Sequence, residues 1–316
     1  MIAHDVHTYI CARSVDMRDV PVRITPYTYH DVDRDVYNPS YEWEMREGTC
    51  PVTVSEHPLK DEREYYSPYV VYDQPAEGKA SALQVLALYS AEPDWGMDEG
   101  LRLSPLQVAT AGSQGYRHLR YGWFFLRAGV AHRRALHFSE LAEHAFSRGD
   151  SYWGLRFSAR TLHYMQDLLT PHHLKPIPEW YWVPRLFRLR EVYNTICSQH
   201  MHFEGYTGYH LWHGSERYIQ CIENCRPQAL SDLRRDLMKA SRGVRRLFYK
   251  VFRECRSFWG EGESKTTMQL QGEWIEKHAP PEQLNLQIYR WLRLLSTFIK
   301  GYIIIRVLPH IQEDAP

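Results

Sequence analysis

Apolar residues recur at three- and four-residue steps along most of the chain, the spacing of a helix with one buried face. The pattern predicts helices over residues 4–16, with Val6, Ile10 and Ala12 inward, then over 81–89, 124–146 in one or two segments, 152–169, 189–203, 230–255 and 283–308. Local punctuation agrees with these bounds. Ser104-Pro105 starts a helix, Arg148-Gly149-Asp150-Ser151 ends one and caps the next, Pro171 stops the helix before it, and Gly205 and Gly208 close the 189–203 helix. Between Pro21 and Gly78 the periodicity lapses, so residues 17–80 read as a long irregular insertion of surface or lid character. No run of alternating strands is visible, and the expected class is all-α: one helical domain over 1–316, its core completed by amphipathic helices in 215–316.

The helix over 152–169 carries Leu155, Ala159, Leu162, His163 and Gln166 along one stripe, with Asp167 beside it. His163 and Asp167 are four residues apart and project from one face. Pro171 turns the chain, which lets His173 fold back towards them, and His200 with Glu204 repeats the four-residue spacing on a later segment. Imidazole nitrogen with carboxylate oxygen is the donor set of zinc and similar borderline cations. Two such pairs and a proline-turned histidine point to a multinuclear metal site. Helical pairs suit one, because packed helices fix ligand geometry.

The chain has 316 residues, enough for a sizeable core, and its 38 basic and 38 acidic residues cancel. That balance gives no support to broad polyanion binding. The 6 cysteines, at 11, 50, 197, 221, 225 and 255, form no CxxC pair and read as reduced thiols. No basic stretch followed by an apolar one opens the chain, which gives the expectation of a cytoplasmic protein. The apolar run 294–308 is broken by Lys300 and Arg306 and is too short to span a bilayer.

The run Ala159 to Asp167 with Pro171 and His173 (H-x3-D-x5-H), followed by His200 and Glu204 (H-x3-E), resembles the zinc-dependent phospholipase C and single-strand-specific nuclease superfamily. Phe146 to Tyr152 is similar to the helix–turn that leads into the motif there. The likeness spans the first helix and about 90–204. It implies a multi-helix bundle with two or three zinc ions that hydrolyses phosphodiesters through a metal-bound hydroxide. By the resemblance, Asp94, His118, His163 and Asp167 hold one ion and His173, His200 and Glu204 a second. Asp167 reaches a third, which His7 also binds. Asp94 and Glu204 are the implied catalytic carboxylates, Asp94 as proton acceptor for the water. Members of the family use a mature N-terminal Trp at the third ion. No Trp precedes His7 here, so the amine of Met1, His4 or a vacant site are the alternatives.

Against these stand the plain roles of the same residue types. His172 and His202 adjoin ligands but point elsewhere by spacing, and His132, His137, His144, His210 and His213 are assigned to packing or solvent. Three functions follow: a phospholipase C-like phosphodiesterase, a single-strand nuclease needing stacking aromatics and a basic groove, and a non-catalytic metal-binding or interaction protein. Neutral charge favours the first.

Overall fold

The computed structural model describes residues 3–41, 78–123, 126–260, 278 and 281–311. Helix α1 (His4–Arg13) turns Val6, Ile10 and Cys11 inward, and Ala12 with them. A short antiparallel pair follows, β1 (Pro21–Arg23) with β2 (Lys79–Ser81), in the register Pro21 opposite Ser81 and Arg23 opposite Lys79. Ser81 then caps α2 (Ala82–Leu88) by accepting from the Gln84 N–H. A tight helical turn, Glu92–Asp94, leads to a second at Pro105–Thr110, whose Ser104 and Gln107 form a reciprocal capping box. Next come α3 (Ser113–His118) and a hairpin of β3 (Tyr121–Trp123) with β4 (Leu126–Ala128).

The centre of the molecule is a pair of antiparallel helices, α4 (Ala131–Ser147) and α5 (Ser151–Leu168). Gly149 takes the left-handed turn between them at φ 74°, and Asp150 caps α5 by accepting from the Trp153 N–H. The helices cross closely at Gly154, where a β-carbon would meet the Phe146 ring at 2.4 Å. Every residue of α5 from Tyr152 to Leu168 is buried. A helix with no solvent face keeps its charged residues only by pairing them.

The rest of the chain wraps this pair. Pro171 starts the single turn α6 (Pro171–Leu174), then α7 (Glu179–Trp182) leads to α8 (Leu189–Trp212), α9 (Glu216–Glu223), α10 (Leu233–Trp259) and α11 (Glu282–Tyr302). The inner face of α11 buries Leu284, Ile288, Trp291 and Leu295, and the Trp291 indole N–H donates to the Leu169 carbonyl at 2.7 Å. No helix among the described residues is long and apolar enough to cross a membrane.

The all-α expectation holds, with three corrections. Residues 17–41 are not a surface excursion: Met17, Tyr27, Tyr29 and Tyr37 enter the core. Their phenols find acceptors there, Tyr29 on Asp150 and Tyr27 and Tyr37 on Asp33. The part of the insertion from 42 to 77 lies outside the described residues. The helix predicted from 124 begins at Ala131, because the hairpin precedes it. Helix α8 runs through Gly205 and Gly208, both buried, to Trp212, since packing there outweighs the weak helix preference of glycine.

Candidate metal centre

Six segments converge beside the C-terminal half of α5. Helix α1 brings His4, the Glu92–Asp94 turn brings Asp94, and α3 ends on His118. Helix α5 supplies His163 and Asp167, α6 His173, and α8 His200 and Glu204. Their donor atoms fall into three groups that could hold cations, the first two sharing His163: His4, Asp94 and His163; His118, His163 and Asp167; His173, His200 and Glu204.

The outer nitrogen of each inner imidazole faces an acceptor. His163 Nδ1 lies 2.8 Å from the Ser90 carbonyl, which can only accept, so Nδ1 donates there and Nε2 is the nitrogen turned to the centre. His4 Nδ1 faces Gln166 Oε1 at 3.2 Å, while the amide nitrogen of that glutamine donates to Thr8. His118 Nε2 faces Asp98 Oδ2 at 3.3 Å. The inner nitrogens then converge. His163 Nε2 and His118 Nδ1 are 2.9 Å apart, and Asp167 Oδ2 lies 3.2 Å and 2.9 Å from them. Asp94 Oδ1 stands 3.5 Å from His118 Nδ1, and His4 Nε2 is 3.9 Å from both Asp94 and Asp167.

The second half repeats the theme. Glu204 Oε1 lies 2.8 Å from His173 Nε2 and 2.9 Å from His200 Nε2, and those two nitrogens are 2.9 Å apart. His173 also joins the halves, because its Nδ1 is 3.0 Å from Asp167 Oδ1. The Arg120 N–H donates to the His173 carbonyl at 2.8 Å, tying the end of α3 to α6. Asp167 and His163 are sealed in, whereas the side chains of Asp94, Glu204 and His200 are 16%, 14% and 22% exposed. The group therefore opens to solvent along that edge.

Electrostatics follow from this crowding. Burial alone would raise the Asp167 carboxyl, but the charges of His163, His173 and His118 hold it well below the carboxylate range. Glu204 is held down in the same way against burial, by His200 and His173. Burial disfavours charge on His118 and His173, yet Asp167 overrides it, raising His118 well above 6.5 and His173 to about 10. Burial lowers His4 to about 4, with the neighbouring His163 adding to the effect.

The donor set fits a cation. Asp167 Oδ2 and His173 Nδ1 are buried and complete no hydrogen bond, although partners lie at ion-pair distance. Two imidazole nitrogens at 2.9 Å with both outer nitrogens facing acceptors leave room for at most one proton between them. A divalent ion satisfies what one proton cannot.

Of the residues singled out in the sequence, Asp94, His118, His163, Asp167, His173, His200 and Glu204 come together. His7 does not join them: its Nε2 bonds to Ser296 Oγ at 2.9 Å, and the ring is buried beside Cys11. His4 occupies the α1 position instead. None of His132, His137, His144, His210 and His213 joins a ligand group among the described residues. His172 is buried against His200 and Phe203, and His202 stacks on Trp259.

Two supporting carboxylates escaped the sequence reading. Asp98 accepts from Tyr164 at 2.5 Å, pairs with Arg117 and faces His118. Glu92 sits buried between Arg156 and Arg160 and accepts from Tyr41, fixing the turn that presents Asp94. A signal for Glu92 existed: two arginines one turn apart on a helix with no solvent face require a buried acid. Comparison with protein-family models, curated proteins and solved structures gives no match for this chain.

Proposed function

We propose that this protein is a metal-dependent phosphodiesterase whose centre holds zinc or a similar borderline cation and acts on phospholipid-type phosphodiesters. The observation that carries the reading is the pair of inner nitrogens, His163 Nε2 and His118 Nδ1, facing each other over the buried Asp167 carboxylate. The motif resemblance to zinc-dependent phospholipases C and single-strand nucleases supports the same choice and the same bundle type.

Bound there, such cations lower the pKa of water towards neutrality and screen the anionic oxygens of a phosphodiester. His118, His163, Asp167 and Asp94 would hold one ion and His173, His200 and Glu204 another, with His4 beside Asp94 and Asp167 for a third. Asp94 stands at the open edge, where its carboxylate can take the proton that an attacking water gives up. Glu204 and His200 line the same edge and orient what enters. The Ser90 carbonyl, Gln166 and Asp98 hold the imidazole tautomers.

Elemental analysis of protein purified without added metal tests the reading, followed by chelator-sensitive turnover of phosphatidylcholine and of single-stranded DNA. Two or three zinc per chain, with phosphatidylcholine preferred, is the expected result. The variant Asp167→Ala should lose metal and turnover together, the latter by at least ~100-fold. Full zinc content in that variant would overturn the assignment, and a preference for DNA would select the nuclease.

A further inference from the structure

Between residues 180 and 193, just ahead of His200 and Glu204, the chain shows large apolar side chains to solvent. Phe187 is 101% exposed, Leu189 67%, Tyr193 56% and Trp180 52%, with Leu186 and Val183 nearly half exposed. The segment is not loose. Its underside, Ile177, Tyr181 and Val192, packs with Phe248 and Phe252 of α10 in an apolar cluster separate from the main core. The Tyr181 ring lies between the guanidinium groups of Arg185 and Arg256, at 4.1 and 4.9 Å. Scattered exposed apolar residues are ordinary, but a group this dense on a built platform marks a surface that meets another apolar phase.

The charges select that phase. Arg188 and Arg190 alternate with Phe187 and Leu189; Arg188 reaches Glu191 only at 3.6 Å with its side chain 73% exposed, and Arg190 has no ion pair among the described residues. The centre of a protein–protein interface is depleted in charge. Apolar tips interleaved with guanidinium groups, flanked by Trp and Tyr, instead suit a bilayer surface, where rings sit at headgroup level and arginines meet anionic lipids. We infer that residues 180–193 seat the protein on the surface of an anionic phospholipid bilayer. The purpose of that contact rests on the phosphodiesterase reading. Helix α8 starts in the platform at Leu189 and carries His200 roughly 16 Å further on, so one rigid element links lipid contact to the open edge of the centre.

Sedimentation of the intact protein with vesicles tests this, using phosphatidylcholine alone and phosphatidylcholine mixed with phosphatidylserine. Binding to the mixed vesicles is expected, weaker by about tenfold on phosphatidylcholine alone. Phe187→Ser with Leu189→Ser should weaken it by about 100-fold, while hydrolysis of soluble bis(4-nitrophenyl) phosphate stays unchanged. Arg188→Glu with Arg190→Glu should abolish the preference for anionic vesicles. Failure of the unaltered protein to bind vesicles overturns the inference, as does binding that survives the double serine change. A dimer that this change disperses, with no vesicle binding, also overturns it and assigns the platform to a second copy. Vesicle binding without any phosphodiester turnover supports the lipid contact and overturns the hydrolase reading instead.

Discussion

Two histidines on α1, three residues apart, divide the labour of that helix. His4 points its Nε2 at Asp94 and Asp167, while His7 is bonded to Ser296. His4→Ala should therefore lower metal content and turnover, whereas His7→Ala should leave zinc stoichiometry intact and cost about 1–3 kcal/mol of stability through the lost bond to Ser296 and the space left by the buried ring. Metal analysis and denaturant melts of the two variants check this. The ligands themselves predict a pH dependence. Asp167 keeps His118 and His173 protonated in the metal-free protein, His173 up to about 10. A cation must expel those protons, so zinc affinity should rise with pH from 6.5 to about 10. Calorimetric titration in two buffers of different ionisation enthalpy should report net proton release at pH 7. By linkage the same two groups stabilise the metal-free fold fully below their unfolded value near 6.5, and the contribution of His173 disappears as pH rises through about 10.

At the level of elements, α5 imposes the order. It is buried throughout, and its Arg156 and Arg160 are tolerated because Glu92 lies between them. Burial would raise Glu92, but the two guanidinium groups lower it from 4.5 to about 2. Its contribution to stability is thus present above 4.5 and lost as pH falls through about 2. Glu92→Gln should cost roughly 3–5 kcal/mol, since it leaves buried charge uncompensated. Urea unfolding at pH 7 measures this, and a change below ~1 kcal/mol would refute it. Helix α5 was also the most legible element in the sequence: its cap at Asp150, its stop at Pro171 and the His163–Asp167 spacing are local signals. The sequence reading chose His7 over His4 at the third ion, because positions three apart share a face and only packing against α5 and α11 decides between them. The hairpin 121–128 has strands of three residues, too short for alternation to register. Residues 17–41 hid their core role because phenols read as polar until their acceptors, such as Asp33 and Asp150, are known.

For the whole molecule, three layers of support meet at one place. Helices α1, α3, α5, α6 and α8 and the Glu92–Asp94 turn carry the candidate ligands, while α4, α10 and α11 pack against them and supply none. Nothing in a linear pattern announces that convergence; matching spacings on separate segments only suggest it. An ion bound there belongs to the folded state alone, because the ligands come from six segments. Zinc at 100 times its dissociation constant should add about 2.7 kcal/mol of stability, and chelation should remove it. Thermal melts with zinc and with chelator check this; coincident midpoints would show that no folded-state site exists.

His173 is one ring with two obligations, one nitrogen towards Asp167 and the other towards Glu204. Whatever neutralises Glu204 and takes the proton from that ring alters the charge that Asp167 sees, and the reverse holds equally. Were both halves to hold a cation, as proposed, a single imidazole would couple the occupancy of one to that of the other. Under the metal-centre proposal, cations entering the two halves would act as one linked unit rather than as separate sites that happen to be neighbours.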